Sequence, residues 1–154
     1  MAPPAPQAPQ PAASDPLRAR FLALGRALGA REAEHAEALG EAWHEARRLH
    51  GLVTDALDAL HAALLEQGNA HLRVLLSDPE LDAKHVRAVQ FELRRGRTIG
   101  LVSVKSRGDV TLVGPFRSGK TEGPCESLAW TDAPALESAL EAFLERFLEQ
   151  AMTP

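Results

Sequence analysis

Ala36, Leu39, Trp43, Ala46, His50, Val53, Leu57, Leu60 and Leu64 recur at alternating spacings of three and four residues. An α-helix brings residues at these spacings onto one side, whereas a strand would scatter them over both faces. The pattern holds for about four heptads, long enough to read as a coiled-coil seam. Gln67 and His71 continue the register, and Glu34, Glu37, Glu41, Glu45, Arg47, Arg48, Asp55 and Asp58 occupy the outer positions. The spacing predicts one helix from about 31 to 76. Gly40, Gly51 and Gly68 each cost about 1 kcal/mol relative to Ala, so two helices folding back near Gly51 are the alternative. In either form the apolar stripe needs cover, from the same chain or from a second copy. Leu39, Trp43, Val53, Leu57, Leu60 and Leu64 are the expected self-association residues, and a homodimer is the expected state.

Residues 1–14 hold Pro, Ala and Gln and no aliphatic residue larger than Ala after Met1. Such a segment buries too little apolar surface to offset its ordering entropy, so a disordered, extended tail is expected. Asp15-Pro16 then has the composition of a helix start. Leu17, Phe21, Leu24 and Leu28 follow on one helical face, and Gly29 is a candidate end. Ser77-Asp78-Pro79 closes the helical region, which is expected to span 15–77.

From about residue 86 the apolar period drops to two. Val89, Phe91 and Leu93 alternate with polar residues, Gly96 marks a turn, and Ile99, Leu101 and Ser103 begin a second alternation. Ser106 to Asp109 is a second turn, Val110 to Val113 a third strand, and Ser127 to Trp130 a short fourth. Residues 114–125 are expected to be loop. Asp132-Ala-Pro134 opens a last helix whose wide apolar face is Leu136, Leu140, Phe143, Leu144, Phe147 and Leu148. Glu137, Glu141, Glu145 and Glu149 line the other side. The expected fold class is α+β. A long N-terminal helix, helical hairpin or coiled coil precedes a small domain over 86–154, an antiparallel meander of three or four strands covered by the C-terminal helix.

Residues 114–121, GPFRSGKT, satisfy the phosphate-loop pattern G-x-x-x-x-G-K-[ST]. That loop works only when a helix starts at the Lys-Ser/Thr pair and aims its free N–H groups at the phosphates. Here Thr121 is followed by Glu122-Gly123-Pro124, a turn-former and helix-breaker. The hairpin-linked strands also differ from the parallel βαβ units such a domain needs. A chain reversal is the expected role, and nucleotide binding is the enzyme-class alternative.

Net charge is −4, with no global drive toward nucleic acid or membrane. Residues 1–85 carry −4, 86–121 carry +6 and 122–154 carry −6. A meander brings its first turn and the exit of its third strand to one end. Arg94, Arg95, Arg97, Arg117 and Lys120 are therefore expected to form one partner- or anion-binding patch, with Lys105 and Arg107 at the opposite end. The basic region lacks Tyr and has only Phe91 and Phe116 for base stacking, which argues against nucleic acid. No run reaches a membrane span. The six histidines include no H-x-x-x-H or H-E-x-x-H pair, so no metal and no cofactor is expected; His50 and His71 fall on the seam as packing residues. Cys125, the single cysteine, has no sequence-adjacent histidine and fits a reducing cytoplasm. Arginine outnumbers lysine 14 to 3, the composition of a GC-rich bacterial genome.

Size, acidity and element order are similar in outline to type III secretion chaperones. A coiled coil leading into a small α+β domain is also similar in outline to dimeric scaffold and adaptor proteins. Together these readings imply a non-enzymatic protein-interaction (adaptor or regulatory) protein, with a client-holding chaperone as a further alternative.

Overall fold

The computed structural model describes residues 2–5, 14–84, 86–120 and 123–153. Most of the tail expected over 1–14 lies outside them, as do His85 and Thr121. The chain divides into two compact units, Met1–Ala36 and Glu37–Pro154.

Helix α1 runs unbroken from Asp15 to Glu66, so of the two sequence alternatives one long helix is realised. It opens with the Arg18 N–H donating to the Ser14 carbonyl at 2.8 Å. Neither Gly29 nor Gly51 interrupts it. The expected continuation to residue 76 is corrected. Gly68 takes φ +76°, its N–H bonds the Leu65 carbonyl at 3.0 Å, and the Asn69 N–H bonds the Leu64 carbonyl at 2.8 Å. These two bonds satisfy the helix's last carbonyls in the reversal that glycine favours. Gln67 and His71 therefore lie past the helix, although the periodicity runs on through them.

Two short strands follow, β1 (Leu75–Leu76) and β2 (Glu80–Leu81). The meander is β3 (Ala88–Arg95), β4 (Thr98–Lys105), β5 (Asp109–Arg117) and β6 (Cys125–Ala129). The sheet is antiparallel, six-stranded, in the order β1-β3-β4-β5-β6, with β2 also on β3. The two short strands, unanticipated from sequence, satisfy the outer edge of β3 that would otherwise be open to another chain. Ser77 fastens them, its N–H donating to the Glu92 carbonyl at 2.9 Å and its Oγ accepting from the Glu92 N–H at 2.8 Å. A loop from residue 114 is also corrected: β5 continues to Arg117. A register shift between Ile99 and Leu101 absorbs Gly114-Pro115, and pairing resumes at Ile99–Phe116 and Thr98–Arg117.

Helix α2 (Ala133–Met152) starts as its sequence predicts: the Asp132 side chain accepts from the Ala135 N–H at 3.2 Å, with Pro134 in the first turn. It buries Leu136, Leu140, Phe143 and Phe147. Within the second unit, α1 buries Ala42, Ala46, Leu49, Val53 and Leu57 in the same core. The facing sheet side chains are Val89, Phe91 and Leu93 of β3, Val102 and Val104 of β4, and Val110 and Leu112 of β5. His50 belongs to this packing, its ring edge-on to Phe91 at 5.2 Å and its Nε2 3.0 Å from the Ser77 carbonyl. Each large aliphatic buried this way contributes about 1.5–3 kcal/mol. Arg48 ties the helices together, bonding Glu45 at 2.7 Å and Glu137 at 2.8 Å. The Glu45 carboxylate hydrogen-bonded to it, and secondarily Glu137, hold its guanidinium above its ordinary pKa against the cost of burial.

Gly100 of β4 lies directly beneath the aromatic rings of α2. A Cβ there would sit 2.9 Å from Phe143 Cζ and 3.2 Å from Phe147 Cδ2. Gly100→Ala should therefore destabilise the second unit by about 1–3 kcal/mol, read as a lowered urea midpoint. An unchanged midpoint would contradict this packing.

Candidate functional site

The two-residue Gly96-Arg97 turn joins β3 to β4 and places Arg95 opposite Thr98. Thr98 in turn pairs with Arg117 on β5. Cross-strand partners share a face, so Arg95, Thr98 and Arg117 form a row on one side of the sheet end. The Ser118 N–H donates to the Arg97 carbonyl at 2.7 Å, holding the exit of β5 against the turn. The C-terminal end of α2 closes the other wall with Gln150, Ala151 and Thr153. The result is an open cleft of about 530 Å³ lined by Arg95, Arg97 and Arg117.

The sequence placed five basic residues here, and the structure brings three of them into the cleft. Arg94 alternates to the opposite sheet face and pairs with Glu92 at 3.4 Å. Lys120 is exposed in the turn after β5, its N–H bonded to the Arg117 carbonyl at 3.0 Å, and does not line the cleft. Arg95 Nη1 reaches the carbonyls of His71 and Arg73 at 3.4 Å, which ties the post-helix segment to this end.

Among the described residues no carboxylate lies within ion-pair distance of Arg95, Arg97 or Arg117. The acidic residues of α2 do not neutralise them. The carbonyl end of α2 supplies only about half a negative charge, so it cannot cancel three guanidinium groups. The other end of the sheet differs. Arg107 there bonds Asp109 at 2.6 and 3.0 Å, and this hydrogen bond holds the Asp109 carboxyl below its ordinary pKa. Arg107 at one end of the meander is thus paired, whereas Arg95, Arg97 and Arg117 at the other have no ion pair among the described residues.

GPFRSGKT divides between two settings. Gly114 to Arg117 are strand, and Ser118 to Lys120 belong to the turn that follows. The next regular element is β6, an antiparallel strand, where a phosphate loop requires a helix. Among the described residues no His/Cys/Asp/Glu group has the geometry of a metal site, and Cys125 is a free, exposed thiol. The His61 Nε2 is occupied as acceptor for the Val74 N–H at 3.1 Å.

The expected self-association residues are distributed differently. Val53 and Leu57 are buried by their own chain, Leu39, Trp43 and Leu60 pack at the margin of that core, and Leu64 is half-buried. Exposed large apolar residues cluster earlier on α1, at Leu17, Phe21, Leu22, Leu24 and Leu28. Thr98 and the last turn of α2 are cleft components that sequence reasoning missed. Nothing in local pattern signals that a helix C-terminus will meet a hairpin turn 50 residues earlier.

No family model matches this chain, and no curated protein or solved structure matches it either. No helix among the described residues is long and apolar enough to cross a membrane.

With no helix to receive phosphates, millimolar ATP with magnesium should leave the melting temperature unchanged in a thermal-shift measurement. A stabilising shift abolished by Lys120→Ala would restore the nucleotide reading.

Proposed function

We propose that this is a non-enzymatic adaptor or regulatory protein of the bacterial cytoplasm. Its cleft docks an acidic segment of a partner protein, and its helical region mediates self-association. The observation that carries the docking site is the convergence of Arg95, Arg97 and Arg117 on one open cleft where, among the described residues, no carboxylate lies within ion-pair distance of them. Guanidinium groups present a planar fork of donors that matches carboxylates two at a time. A row of them on a sheet end, braced by backbone bonds, suits an extended acidic peptide, and among the described residues the cleft lining includes no His, Cys, Asp or Glu. Self-association is supported by the exposed apolar residues of the first unit, Leu17, Phe21, Leu24 and Leu28. The reducing setting accords with the free Cys125.

A fluorescently labelled Glu-rich peptide, followed by anisotropy, tests the docking site. The chain should bind it, with affinity falling as salt rises. The triple variant Arg95→Ser, Arg97→Ser, Arg117→Ser should weaken binding by roughly tenfold or more, about 1.4 kcal/mol. Arg107→Ser, at the opposite end where the guanidinium is paired with Asp109, should leave it unchanged. Equal binding by the triple variant would reject the cleft.

A further inference from the structure

We propose that the groove between α1 and α2 is the receptor for residues 15–31 of a second copy of this chain. The inference rests on the self-association reading above and assigns it a site and an occupant. The groove lies in the second unit, is lined by none of the arginines of the cleft, and has a volume of about 360 Å³. Its apolar surface is Leu52 and Ala56 of α1 with Leu140, Leu144 and Leu148 of α2. Its rim is acidic: Glu137, Glu141 and Glu145 recur every fourth residue along α2.

The first unit presents the complementary object. Leu17, Phe21, Leu24 and Leu28 are 58%, 62%, 44% and 59% exposed, side by side on one helical stripe. By helical geometry Arg20 and Arg31 border this stripe on one side and Arg18 on the other. The stripe thus has a basic margin at Arg20 and Arg31, with Glu32 following Leu28 on the Arg18 side, and the groove is apolar with an acidic margin. The lengths agree as well. Leu17 to Leu28 and Glu137 to Leu148 each span eleven residue steps, about 16 Å of helix. The rows at 140, 144, 148 and 52, 56 are ridges with a furrow between them, the shape into which a third helix packs. Pairing stripe with stripe would bring arginine margins together, whereas pairing stripe with groove sets arginine against glutamate.

Light scattering combined with size exclusion tests this on the full chain. The wild type should elute at twice the 16.6 kDa chain mass. Phe21→Glu and Leu52→Glu, both at exposed positions, should each halve that mass while the helical circular dichroism is kept. Glu141→Arg with Glu145→Arg should also dissociate the dimer, as should Arg20→Glu with Arg31→Glu. The chain carrying all four exchanges should recover the dimer, because attraction is restored with the signs inverted. A dimer that survives Leu52→Glu and the Glu141/Glu145 exchange overturns the groove assignment and leaves self-association standing. A monomeric wild type overturns both. A monomer that sediments with phosphatidylglycerol vesicles through Phe21 assigns the stripe to a lipid surface and overturns the proposal.

Discussion

The fold of the second unit depends on covering one face of a twisted antiparallel sheet. Phe91, Leu93, Val102, Val104 and Leu112 all point to that face, and a sheet this apolar on one side is not stable alone in water. Helix α2 covers part of it, and its Phe143 and Phe147 come close enough that β4 carries glycine beneath them. The remaining cover is the stretch of α1 from Ala42 to Leu57. A stripe that reads as a coiled-coil seam is thus, in this unit, one wall of a two-layer core. Its small residues Ala42 and Ala46 are fully buried in that core, as they would be against a second helix.

The electrostatic layout follows from the same architecture. Helix α2 and the Ala42–Leu57 stretch of α1 cover one face, and the arginines of the cleft have, among the described residues, no ion pair with the α2 glutamates. One of them, Glu137, is used by Arg48 to fasten helix to helix. The rest remain on the surface beside the apolar groove. The acidic groove uses α2 from Glu137 to Leu148 and the positive cleft uses its last turn from Gln150, so the two surfaces follow one another along one helix. The proposed adaptor role rests on these two surfaces of opposite charge on one small domain.

Much of this was legible from periodicity and turn residues. The change of apolar period from 3.5 to two marked helix and sheet correctly, Asp132 and Pro134 marked the start of α2, and Gly96 marked a hairpin. Three of the five anticipated cleft residues converge, because hairpin register follows from turn length. What was hidden was non-local or competed with a local rule. The end of α1 was overrun because the apolar spacing persists to His71, while the backbone reversal at Gly68 decides the matter. Arg94 was misplaced because side-chain alternation sends neighbours to opposite faces, a rule that outranks proximity in sequence. Strands β1 and β2, two residues each, have no periodicity to read. The partner of the apolar seam could not be chosen from its pattern, since a sheet and a second helix ask for the same spacing.

Native-state hydrogen exchange measures most directly whether α1 is part of the core. If it is, the amides of Ala46, Leu49, Val53 and Leu57 open only with the amides of Phe91, Val102 and Val104, at one shared free energy equal to global unfolding. Exchange of the Ala46–Leu57 amides at a much lower free energy, with β3 and β4 still protected, would contradict it and return the seam to the role of a separate coiled coil.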